Sequence, residues 1–213
     1  MMTLVEWAKS LDIPVEDIPP ALEGHSEEED PESPPRFSAR DIAIRAVILQ
    51  GVVAVGSKFD PELIIEWFHE QGIWQAVSPK EAQFLLAPTR SDKECSDFRW
   101  RQEAEWTLLW MLGKVETLGL PDHKCDPQRM VNDIIPEFGS DIDDFLESAE
   151  RRDESVLYAE VIRTYDLWNI VVRNRRQNQF VPVELNFDVL AERMYAFDWL
   201  DGWELWDHVR CDI

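Results

Sequence analysis

The sequence predicts an all-α fold, a non-repetitive globular bundle of about eight or nine helices. Three observations carry this. Helix-start signals, a Ser or Asp followed by proline or by an acid three residues on, recur at Ser38, Asp60, Ser78, Ser91 and Asp126. Between them, apolar residues recur at helical spacing or run on continuously. Strand signals are scarce: residues 180–185 (FVPVEL) have β character, and Pro182 demotes them to an edge or a loop.

Taken in order, residues 3–11 read as a short helix, with Thr3 as N-cap and Glu6 three residues on. Residues 12–36 read as a linker. They hold Pro14, Pro19, Pro20, Pro31, Pro34 and Pro35 and the acid run Glu27, Glu28, Glu29 and Asp30, which bury no face. The helical domain then spans 37–213. Ser38 caps its first helix with Asp41 at N3, and 42–55 is apolar almost all round, as in a helix buried on most sides. Gly56 ends it. Asp60-Pro61 opens the next helix, which stops at Gly72 and carries the stripe Leu63, Ile64, Trp67 and Phe68. Ser78-Pro79 with Glu81 repeats the start signal, and Pro88 terminates that helix. Residues 91–115 read as a long helix with Glu94 at N3. Its nearly continuous apolar run 106–112 makes it a second central helix, with Gly113 weakening or ending the last turn. Asp126-Pro127 starts a short helix to about 133. Residues 141–149 form a weaker, acidic one. Residues 155–176 form a long one, whose Arg173, Arg175 and Arg176 suit the negative end of the helix dipole. A last helix over 186–206 places Leu190, Met194, Phe197 and Leu200 on one stripe.

Composition bounds the function. Across 213 residues, 45% are apolar and 11% aromatic, enough for a sizeable core despite a formal charge of −22. That charge excludes a phosphate reader of the usual kind, repels nucleic acid and anionic membrane, and favours basic partners. The longest apolar run, 42–55, is interrupted by Arg45 and Gln50 and is shorter than the ~20 residues needed to cross a bilayer. The N-terminus lacks the basic region of a signal peptide. Cys95, Cys125 and Cys211 are sparse and odd in number, as in a reducing compartment. A cytoplasmic protein is expected. The ten tryptophans are read chiefly as core fillers.

No motif assigns a catalytic residue or a cofactor. There is no Gly-rich phosphate loop and no Gly-x-Ser-x-Gly elbow. His123 and Cys125 with His208 and Cys211 match no strong zinc spacing, and Glu66 and His69 form a lone Glu-x-x-His. The clearest charge signal is Glu137, Asp141, Asp143, Asp144, Glu147, Glu150, Asp153 and Glu154, relieved by Arg151 and Arg152. This is either a solvated face or a surface complementary to a basic protein, and such a row can also imitate phosphates. Asp141, Asp143, Asp144 and Glu147 are the candidate partner-binding residues.

The stretch Ala191-Glu192-Arg193-Met194-Tyr195-Ala196-Phe197-Asp198-Trp199-Leu200, followed by Trp206-Asp207-His208-Val209 and Asp212, resembles the ending of a bacterial family, the domain-of-unknown-function family numbered 4272. Ser38 to Ala43 with Arg45 and Ala46 is similar to that family's opening helix. Ser78-Pro79-Lys80-Glu81 with Leu86 resembles a further segment of it, and so does Glu105 with Leu109, Trp110, Leu112 and Gly113. The likeness covers roughly 36–212. It departs at Asp198, where a small polar residue is expected, and at Ile213, where a Thr is expected. The resemblance implies a helical domain and no particular activity. It singles out Glu105, Glu192, Arg193, Asp207 and Asp212, as either buried ion pairs or a Trp-lined pocket.

The expected function is a non-enzymatic acidic protein-binding module that neutralises a basic partner, as immunity proteins and antitoxins do. The alternative is a small-molecule binder or enzyme built on Arg193 and Glu105. A third possibility is a scaffold whose 3–11 helix docks on a partner through Val5, Trp7, Ala8 and Leu11. The oligomeric state is left open.

Overall fold

Local chemistry sets most of the helix starts in the computed structural model, which describes residues 36–177, 185–202 and 205–209. Helix α1 (Ala39–Gly56) opens with a capping box, in which Asp41 N–H donates to the Ser38 hydroxyl and Ser38 N–H donates to the Asp41 carboxylate. The same device starts α3 (Pro79–Leu86), through Ser78 and Glu81, and α4 (Asp92–Met111), through Ser91 and Glu94. Between them, α2 (Pro61–Glu70) is capped by Asp60 with proline at its first position. Asp126-Pro127 likewise starts α5 (Pro127–Arg129), which passes directly into a single π-turn, Met130–Ile134. Helices α6 (Asp143–Glu147), α7 (Glu154–Arg176) and α8 (Phe187–Asp201) follow, then a 3-10 turn, Trp206–His208. No strand occurs among the described residues. The 3–11 helix, nearly all of the 12–36 linker, most of 180–185, and Cys211 and Asp212 lie outside the described residues.

Two helices make the centre. Helix α1 is apolar all round and packs along α4, whose last nine residues from Glu103 are all buried. Helix α8 lies on the other side of α4 and pairs with α7. The main core joins α1, α2, α4 and α8, and a smaller cluster of Leu167, Trp168, Ile170, Val171, Leu190 and Met194 closes α7 on α8. Gly51 lets α2 approach α1 closely: a Cβ there would meet Phe68 at 2.5 Å and Ile64 at 2.7 Å. Tryptophans 67, 106, 110, 168, 199 and 206 are buried, while Trp74 and Trp100 are half-buried.

Four sequence expectations are corrected. Leu63 is 52% exposed, because it sits nearly a quarter turn from the centre of the stripe made by Ile64, Trp67 and Phe68. Helix α4 ends at Met111 rather than at 115. Gly113 takes φ +69° there, and Arg152 caps the end by donating from Nε to Trp110 O at 2.6 Å and from Nη2 to Val115 O at 2.6 Å. The short helix after Asp126 is one turn of α-helix followed by the π-turn. The last helix stops at Asp201, where Gly202 takes the left-handed conformation with φ 81°.

Candidate functional site

The residues that stand out in sequence occupy separate places. Asp141, Asp143, Asp144 and Glu147 lie on and just before α6, all exposed. Asp143 N–H donates to the Asp141 carboxylate at 2.7 Å, and among the described residues no basic side chain pairs with Asp143, Asp144 or Glu147. The two arginines in this stretch are turned to other tasks. Arg152 caps α4, as above, and Arg151 meets Glu154 at 3.0 Å. Phe145 and Leu146 anchor α6 to the core, so the carboxylates are held on a fixed support. The neighbouring first turns of α7 add exposed apolar groups, Val156 and Tyr158, the latter 64% exposed.

The described residues picked out by resemblance, Glu105, Glu192, Arg193 and Asp207, do not form one pocket. They divide among three buried polar arrangements and one isolated group. In the first, Arg45 of α1 pairs with Glu81 of α3 at 2.6 Å, both side chains being about 95% buried or more, and Arg45 lies over the Trp206 ring at 4.8 Å. Asp207 continues this arrangement by accepting from Ser78 Oγ at 2.6 Å and from Lys80 N–H at 2.8 Å. In the second, Glu192 of α8 pairs with Arg101 of α4 at 3.1 Å, and Arg101 stacks on Tyr195 at 3.8 Å. Burial raises the Glu192 carboxyl, and Arg101 opposes that rise. Burial also pushes the Tyr195 phenol up to about 12, and its hydroxyl donates to Trp206 O.

In the third, Arg193 donates to Gly119 O at 2.9 Å and to Leu118 O at 2.7 Å. It is 4% exposed, and burial lowers it to about 10. Next to it Glu103, a residue the sequence does not single out, accepts from Cys125 N–H at 2.9 Å. Burial, reinforced by Glu103, pushes the Cys125 thiol up. These bonds spend Arg193 on fastening the 118–119 loop to α8. Glu105 stands apart. It is fully buried, neither carboxyl oxygen has a partner among the described residues, and burial holds its pKa well above 4.5, favouring the neutral acid.

Among the described residues, no group of three or more His, Cys, Asp or Glu side chains is placed to hold a metal ion. His123 contacts Asp122, and His69 stacks on Trp74 at 4.7 Å. No described helix is long and apolar enough to cross a membrane.

A helical domain tied by polar clasps between its helices matches a family model. The chain belongs to the family described as Domain of unknown function (DUF4272), with residues 5–209 matched. The match begins well before α1 and so takes in most of the stretch read from sequence as a separate helix and linker. Comparison with curated proteins and with solved structures gives no match.

Proposed function

We propose that this chain is a non-enzymatic, acidic protein-binding module of the bacterial cytoplasm that neutralises a basic protein partner, in the manner of an immunity protein or antitoxin. The observation that carries this reading is the face of Asp141, Asp143, Asp144 and Glu147. These carboxylates are exposed, held on or just before a helix anchored by Phe145 and Leu146, and pair with no basic side chain among the described residues. Val156 and Tyr158, a few residues further along the chain, supply exposed apolar contact area of the type found at interface centres. A formal charge of −22 accelerates encounter with a basic surface.

The test begins with capture of basic proteins on the immobilised full chain at low salt. Association of the captured partner is then measured for the wild type and for a variant with Asp141, Asp143, Asp144 and Glu147 changed to Lys. The expected result is a fall in kon of roughly tenfold or more and a flattened salt dependence. Unchanged association by the variant removes the reading.

A further inference from the structure

At the end of α1 an amine and a thiol are brought together. Lys58 Nζ donates to Cys95 Sγ at 3.5 Å. Lys58 is the one non-glycine residue with positive φ among those described, at 75°. Two backbone bonds fix this turn, from Lys58 N–H to Val55 O and from Phe59 N–H to Ala54 O, both at 3.0 Å. Both side chains line a pocket of about 240 Å³, together with Val55, Phe59 and Arg90. In a chain of strongly negative charge, the lining residues include two bases and no acid. Asp92 approaches Lys58 Nζ at 3.6 Å, but its side chain is wholly exposed and holds the amine weakly. Cys95 is 1% exposed and its approach is through this pocket, which limits any reagent to one small enough to enter it.

We propose that Lys58 and Cys95 form a peroxide-driven, reversible cross-link. The Cys95 sulfur attacks one peroxide oxygen, the O–O bond breaks, and sulfenic acid and water form. The Lys58 amine then attacks that sulfur. The S–N bond forms, the S–O bond breaks, and the hydroxyl leaves as a second water with a proton from nitrogen. One peroxide is thus reduced to two waters while thiol and amine together lose two hydrogens. In the unfolded or digested chain, two equivalents of an added thiol reverse the step, restoring the thiol and amine and leaving a disulfide of the added thiol. Lys58 suits the role because its four-carbon stem is largely exposed and free to close the gap, while the turn keeps its backbone in place. The bond staples the α1–α2 turn to the first turn of α4.

The test treats the reduced full chain with a small excess of hydrogen peroxide and maps it by mass spectrometry after non-reducing digestion. The expected product is a peptide pair joined at Lys58 and Cys95, lighter by two hydrogens and separated by dithiothreitol. It is expected to persist in a Cys125→Ser/Cys211→Ser variant, which excludes a disulfide as the source of the loss. It is expected to vanish in Lys58→Gln and in wild type oxidised while unfolded in urea. Recovery of Cys95 from the folded wild type as free thiol or as sulfinic acid, with no joined pair, overturns the proposal.

Discussion

Asp207 and Ser78 lie 129 residues apart in sequence and 2.6 Å apart in the fold, with the Ser78 hydroxyl donating to the Asp207 carboxylate. The second carboxylate oxygen accepts the Lys80 N–H, one of the first-turn donors that α3 leaves without an intrahelical partner. The anion therefore sits at the positive end of α3 and fastens the C-terminal 3-10 turn to it. Asp207→Ala is expected to cost about 1–2 kcal/mol, as loss of a capping side chain does. For a chain of this size that lowers Tm by roughly 3–7 °C, measurable by calorimetry. A shift within error would show that the turn is held without the Asp207 carboxylate.

The Arg45–Glu81 pair predicts a strongly non-additive mutant cycle. Each partner is buried, and Arg45 Nε and Glu81 Oε1 have no further partner. Removing one charge strands the other. Glu81→Ala is expected to lose about 3–5 kcal/mol, whereas Arg45→Met with Glu81→Leu loses far less than the two singles combined. Urea unfolding of the four proteins reads this directly. Additive losses would mean that the two groups act independently.

How much of this was legible in the sequence follows from range. Ser38, Ser78 and Ser91 each find their partner three residues away, so the helix starts could be read from the chain alone. Helix ends were less legible, because α4 stops where Arg152 arrives from 42 residues further on to take the Trp110 carbonyl. The acidic face follows directly from charge density around residue 144. Glu105, Glu192, Arg193 and Asp207 stand out as polar residues among tryptophans, but neighbours on a helix point about 100° apart. Glu192 therefore meets Arg101, while Arg193 turns to the 118–119 loop. Sequence holds no signal for that division, nor for Glu103, whose partner is the backbone of Cys125.

Glu105 predicts a specific pH dependence. Its folded-state pKa lies above the ordinary value of 4.5 because burial penalises the anion. Between those two values the native state keeps a proton that the unfolded chain has lost, so raising the pH through that window removes stability. Glu105→Gln puts a neutral group of the same shape there at every pH. Its Tm relative to wild type is expected to rise steadily as the pH is raised above 4.5 and to level off at lower pH. A constant difference across the series would show that the carboxyl titrates alike in both states.

Gly51 predicts an overpacked contact whose partner can be named. Alanine suits the middle of α1 better than glycine by roughly 1 kcal/mol in isolation. In the fold, however, its Cβ would lie 2.5 Å from Phe68 Cζ and 2.7 Å from Ile64 Cγ2. Phe68 and Ile64 are both fully buried and have no room to retreat. Overpacking therefore outweighs propensity, and Gly51→Ala is expected to destabilise by about 1–3 kcal/mol. Phe68→Leu shortens the ring side and is itself expected to cost about 1 kcal/mol or more through the space it opens. Combined, the two changes relieve each other, so the double variant is expected to be more stable than the sum of the singles by at least 0.5 kcal/mol on the usual scale of coupled neighbours. Chemical denaturation of the four proteins measures that coupling. Its absence would mean that α1 and α2 separate to admit the methyl group, and the double variant would then lose as much as its parts.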